Sequence, residues 1–452
     1  MYHFKILLLP IGLLLAQTVW GQHALLTDAV QDVQVKNEIY EQSFSYDAEN
    51  TCLLTFTVLD TDKGEETVYE VNAADLNEHK VRFDTQGKAV LVEAETRGSK
   101  DLVRVIEDGE IKGFDDGFEI YASGIENARN LVTALKEVVK TCNEQNKEIL
   151  VAGNANPTFN EALTFLSSEI GDMKVGSKEY GQSFAFETDQ STMITYTWED
   201  LTEGESLKYI ANVADFNEQS VSFNTKGGNV WLALETQGGR DLIQTYENGE
   251  LDDYESKIEI MASEIEQARV LEKALKVMVA AAAQQQEPSF LPGNASPDLG
   301  TTTRFLQEQV GTVTLSKAIY EQTFTYEATA QQIRYDVTEL SKAEKHSYLF
   351  NPADINVNTI GFDTRGSEVL IQLETQADRD LIQVLENDEV DGYEDKVTLR
   401  TPGIEDARRW CSALKRLVSL ARENQQDNFY QVAGENPDQS ATLQFYRKMY
   451  IR

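Results

Sequence analysis

Histidine and cysteine are scarce in this 452-residue chain, with four of the first and three of the second. His3 falls in the N-terminal leader, and His23, His79 and His346 recur at no equivalent places, so a histidine-based triad or zinc centre is not expected. Cations are short as well: 40 Lys and Arg face 76 Asp and Glu, a net charge of −36. A surface of that sign argues against nucleic acid, anionic membrane or phosphoinositide partners, which all need a cationic face. No apolar run beyond the N-terminus is long enough for a membrane helix. Gly-rich phosphate loops, G-x-S-x-G elbows and H-E-x-x-H are all missing. No catalytic, cofactor-binding or metal-ligating residue is therefore assigned, and the expectation is a non-enzyme without a cofactor.

What is present begins with an address. Lys5 precedes an apolar run over residues 6–16, and Val19 and Gly21 stand at minus three and minus one of a cleavage site before Gln22. That pattern predicts a secretory signal peptide over residues 1–21, and a mature chain that is periplasmic or secreted. The apolar fraction of 41 % and charged fraction of 26 % are those of a folded chain. Its length exceeds what one ordinary core can hold. Cys52 and Cys142 are free to pair or to stay apart, since sequence cannot place their Cα atoms. Cys411 falls at a buried helix position and is expected to be inert.

The dominant feature is repetition. Tyr40, Tyr180 and Tyr320 each open a Tyr-x-Gln-Ser/Thr-Phe motif and stand 140 residues apart. Ala74-Asp-Leu-Asn77 returns at Ala214 and Ala353, and Phe83 opens a motif that returns at Phe223 and Phe362. A period this long makes each copy a whole domain. We place the copies at residues 22–145, 156–285 and 297–425, with residues 426–452 resembling the start of another. Each copy reads as seven strands, Gln42–Asp47, Cys52–Thr61, Glu66–Asn72, Lys80–Thr85, Ala89–Thr96, Leu102–Glu107 and one ending at Ala122, with a short piece near Ile111. A helix follows, with Ile125, Ala128, Leu131, Leu135 and Val139 on one face. Ser123 with Glu126, and Ser263 with Glu266, match a capping box. Asp108-Gly109 and Asn248-Gly249 suit a two-residue hairpin turn, with Asn387-Asp388 a poorer version. Short helices are expected around Phe165, Phe305 and Phe445. They either announce each repeat, leaving a remnant at the C-terminus, or pack on the domain before.

Strands closed by one amphipathic helix, through Phe118-x-Ile-x-Ala and then Ile125-Glu-x-Ala-Arg-x-Leu, resemble the pleckstrin-homology-like superfold. The resemblance implies an α+β chain of three tandem seven-stranded antiparallel PH-like barrels, each closed by a C-terminal helix, with short linker helices between. Some members of that superfold bind phosphoinositides through a basic first loop; here that loop is Asp47–Thr51, which is acidic. Others hold peptides between the fifth strand and the helix.

Three sets of charged residues recur: Glu95/Glu235/Glu374 beside Lys100/Arg240/Arg379, Asp101/Asp241/Asp380, and Glu126/Glu266/Glu405 beside Arg129/Arg269/Arg408. Triplication favours caps and ion pairs reused by the fold over three identical catalytic centres. Asp60–Gly64 resembles a calcium loop with its glycine one place early, and a solvated hairpin explains it better. The acidic stretch Asp108–Glu119 either attracts calcium weakly or discourages edge pairing. The expected function is a secreted or periplasmic scaffold recognising an unidentified protein or peptide through its repeats. The alternatives are a carboxylate-dependent enzyme on an envelope or sugar substrate, for which Asp60, His79, Trp198 and His346 would have to cluster, and a small-ligand carrier.

Overall fold

The computed structural model describes residues 23–433, apart from 49, 146–148, 187–191, 285–289, 292–293, 295 and 316–317. The leader and the helix expected around Phe445 lie outside the described residues. The first repeat runs β1 (Val33–Val35), β2 (Glu38–Tyr46), β3 (Leu53–Asp60), β4 (Glu65–Asn72), β5 (Arg82–Gln86), β6 (Ala89–Glu95), β7 (Val103–Glu107), β8 (Glu110–Asp115), β9 (Gly117–Ala122) and α1 (Ile125–Gln145).

Nine strands stand where the sequence pattern suggests seven, because β1 and β8 are short but pair in register, Val33 with Tyr40 and Glu107 with Glu110. They form two antiparallel sheets, β1-β2-β3-β4-β7-β8 and β5-β6-β9, and β1 and β8 remain edges, so no barrel closes. Two 3-10 turns after β4 cause the division. Asn72 and Asn77 cap them by accepting from the Ala74 and His79 amides at 3.0 and 3.1 Å. These turns carry β5 and β6 out of the first sheet. β7 then returns to β4, Tyr69 opposite Val105, and β9 adds to β6, Val92 opposite Ile120. The third repeat has the same six- and three-stranded sheets.

Alternation along β2 and β3 sends Phe44, Leu54 and Phe56 inward, where they meet Val92, Ile120 and the α1 residues Leu131, Leu135 and Val139. Cys52 and Cys142 are disulfide-bonded, with Cα atoms 5.6 Å apart, tying the entry of β3 to the end of α1. The Tyr-x-Gln motif is structural. Gln42 accepts from the Tyr121 amide at 2.8 Å and donates to the Tyr121 carbonyl at 3.0 Å, locking β2 to β9. Gln182 and Gln322 do the same for Met261 and Arg400. The hairpin pairs Asp108-Gly109, Asn248-Gly249 and Asn387-Asp388 all take positive φ, the third pair without its glycine.

The capping boxes expected at Ser123 and Ser263 do not form. The Ser123 and Ser263 amides donate to the Asn127 and Gln267 side chains instead, which leaves Glu126 and Glu266 free for other partners. A capping box does form at Thr158 and Glu161, opening α2 (Phe159–Glu169). α2 packs on α3 (Ile265–Ala282), and α4 (Leu299–Gln309) packs on α5 (Ile404–Ala433). Each short helix thus packs on the closing helix of the repeat that it introduces.

The chain divides into two compact units, and the division runs through the middle repeat. The first unit is Met1–Ser206, Phe216–Glu235 and Ile258–Ala283; the second is Leu207–Asp215, Thr236–Lys257 and Gln284–Arg452. Each unit therefore contains one complete outer repeat and the part of the middle repeat that meets it.

Candidate binding groove and repeat junctions

In the first unit the 3-10 turn after β4 faces the start of α3. Asn72 Nδ2 donates to Glu266 Oε1 at 2.9 Å, and Arg269 Nη2 donates to Asp75 Oδ2 at 2.5 Å. Thr225 Oγ1 donates to the Asp101 carbonyl at 2.7 Å. Glu266 and Arg269 are three apart on a helix and so share a face. The second unit repeats the arrangement: Asn212 donates to Glu405 at 3.2 Å, Arg408 pairs with Asp215 at 2.5 Å, and Thr364 donates to the Asp241 carbonyl at 2.9 Å. Arg269 also lies over the Phe223 ring and Arg408 over the Phe362 ring. Burial pushes the Asp75 and Asp215 carboxyls up, outweighing the pull of their arginines.

Two of the three recurrent Glu-x-x-Arg pairs, Glu266/Arg269 and Glu405/Arg408, are thus junction residues. The Lys100, Arg240 and Arg379 carbonyls have a local role, accepting from Thr96, Thr236 and Thr375 hydroxyls at 2.6, 2.5 and 2.6 Å, while the Arg240 side chain also crosses the second junction to donate to the Phe362 carbonyl at 3.2 Å. The Asn-x-x-Asp half of the junction was not singled out from sequence, although its aspartate stands in the Ala74-Asp motif that marks the period. A crevice of about 80 Å³ beside the first junction, between Glu70, Arg104 and Glu264, has room for a few waters only.

The first unit also holds a larger groove. It lies between the middle repeat's fifth strand (Ser222–Lys226) and α3, and encloses about 350 Å³. Its floor is Phe223, Val277 and Ala280, and its rim carries Arg269, Lys273 and Lys276 with Glu218 and Glu272. Lys273 Nζ donates to the backbone carbonyl of Ile149, in the segment between the first two repeats. Lys276 pairs with Glu272. On a chain this acidic, three cations along one groove are a local reversal of sign.

A third crevice, of about 540 Å³, opens between the two sheets of the first repeat, lined by Tyr69, Arg82, Glu93, Glu95, Asp115 and Glu119 among others. Arg82 binds Glu93 at 2.9 Å and Glu95 at 3.6 Å. Asp115 is held above the usual carboxylate range by partial burial and by Asp101 and Asp116. None of the three crevices is lined by Asp60, His79, Trp198 or His346. Asp60 caps its own hairpin, accepting from the Asp62 and Lys63 amides and pairing with Lys63 at 2.8 Å. Among the described residues no group of three or more His, Cys, Asp or Glu is placed to hold a metal ion, and no helix is long and apolar enough to cross a membrane.

Compared with known proteins, the chain matches no family model, no curated protein and no solved structure.

Proposed function

We propose that this chain is a non-enzymatic, extracytoplasmic scaffold whose PH-like repeats hold an extended peptide against the closing helix, in the groove beside the strand Ser222–Lys226. The observation that carries this reading is the groove along α3, where an apolar floor of Phe223, Val277 and Ala280 runs beside three cations. Lys273 already holds a main-chain carbonyl there, the group an extended peptide offers at every residue. The partner this chemistry fits is an acidic, partly apolar segment of another protein. Secretion rests on the leader pattern and on the Cys52–Cys142 disulfide, a bond that persists in oxidising compartments. Repeated weak sites gain avidity when one partner spans several.

The enzyme alternative has its best location in the crevice around Asp115. Arg82 pairs with Glu93 and Glu95 there, which engages two of its carboxylates in ion pairs, and the groove along α3 has the apolar floor that this crevice lacks, so the scaffold reading is preferred. The test is a titration of the mature chain, from Gln22, with a fluorescent peptide of alternating leucine and glutamate, followed by anisotropy. Binding that weakens with salt and is lost in the Lys273→Glu, Lys276→Glu double variant supports the reading. No binding at low salt, or binding indifferent to both lysines, refutes it.

A further inference from the structure

The junction has two sides, and the outer repeats each carry one side that no other repeat covers among the described residues. The first repeat keeps the helix-start side: Ile125, Glu126 and Arg129 on α1, with Thr85 on β5. Among the described residues Glu126 and Arg129 pair only with each other, at 2.5 Å. The Arg129 side chain is 59 % exposed, against 19 % for both Arg269 and Arg408 at the two formed junctions. Ile125 is 49 % exposed, whereas Ile404 is 9 % exposed.

The third repeat keeps the opposite side: Asn351, Asp354, Leu381, Val390 and Tyr393, the counterparts of Asn212, Asp215, Leu242, Leu251 and Tyr254. Val390 and Tyr393 are each 60 % exposed, while Tyr254 is 4 % exposed. Among the described residues Asp354 closes no ion pair. End repeats of tandem arrays normally replace such faces with polar caps. These two do not: an apolar face with Asp354, near Arg379 and Arg422, remains at one end, and Ile125 with the Glu126–Arg129 pair remains at the other.

We propose that copies of this chain assemble head to tail, the third repeat of one seating on the first repeat of the next through the same contacts that join neighbouring repeats. Asn351 takes Glu126 of the second copy, Asp354 takes its Arg129, and the Asp380 carbonyl accepts from its Thr85. Ile125 then covers the Leu381, Val390 and Tyr393 patch. Such a contact is heterologous, so it generates an open chain or a ring and not a closed two-fold dimer. One position differs, Lys88 standing where the first junction has Gly228, whose added Cβ would meet Ile111 at 3.3 Å. The second junction has Ser367 at that place and still forms its full set of bonds. The proposal is independent of what, if anything, occupies the groove along α3.

The experiment is sedimentation velocity of the full mature chain over a roughly hundredfold concentration range. Wild type is expected to pass from monomer to a series of larger species, and Arg129→Glu and Asp354→Arg each to remain monomeric. Mixed together they should assemble again, because the swapped charges pair in one contact and the original pair survives in the other. Val390→Asp, at an exposed strand position, is a second variant expected to abolish assembly without moving the melting transition. A wild type that stays monomeric throughout overturns the proposal, since another segment then covers the face. So does assembly that survives Val390→Asp, or a mixture of folded charge variants that stays monomeric.

Discussion

The three arginines Arg129, Arg269 and Arg408 occupy one position of the repeat, exposed once and at a junction twice, which makes them an internal experiment. Arg269→Ala removes the partner of Asp75, whose side chain is only 11 % exposed, and the cation over Phe223. Breaking a buried pair from one side leaves an uncompensated charge and costs roughly 3–5 kcal/mol. Burial already raises the Asp75 carboxyl, which lessens the penalty, so about 2–3 kcal/mol is the expected loss. In a unit of this size that lowers the melting transition by roughly 5–10 °C. Arg408→Ala should do the same to the second unit. Arg129→Ala, measured at concentrations too low for association, should leave both transitions in place, because exposed pairs contribute almost nothing. Differential scanning calorimetry of the three variants reads this directly, and resolves whether the units melt separately. Equal losses for Arg129→Ala and Arg269→Ala would refute the reasoning, as the effect would then come from the helix and not from the junction.

The carboxyl at the first junction gives a pH test. Because burial raises the folded pKa of Asp75, its contribution to stability is present below the unfolded value and is lost as pH rises through the folded one. The stability of wild type minus that of Asp75→Asn should therefore rise as pH falls from neutral into the carboxylate range; a difference that falls in pH-resolved melts would mean that Arg269 wins. Replacing Cys52 and Cys142 by serine opens a loop of 90 residues, and an order of 3–4 kcal/mol should be lost from the first unit alone in urea titrations. Burial pushes the Cys411 thiol up to about 11, so in the native chain at neutral pH it should resist a thiol reagent and react only once α5 is unfolded.

Much of the fold was legible because it rests on local patterns. The period of 140 shows as recurring motifs, the alternation in β2 and β3 as a period of two, and the apolar face of α1 as spacing of three and four. The turn pairs at Asp108, Asn248 and Asn387 were legible for the same reason. Two sheets instead of one barrel were not, because the strands that pair, β4 with β7 and β6 with β9, are separated by hairpins of their own. Glu126 and Glu266 fit a capping box by spacing, and only the side chains packed around them decide otherwise. Nor does sequence distinguish Arg129 from Arg269, which share their neighbours along the chain and differ in what faces them.

By itself, then, the sequence determined that one strand-and-helix pattern would recur three times with an apolar interior, since recurring motifs and polarity are written along the chain. The tertiary structure decided which cysteines pair, where the middle repeat divides, and that Asn-x-x-Asp meets Glu-x-x-Arg across nearly two hundred residues. Such contacts depend on distances between elements, and those are set only when whole sheets and helices pack.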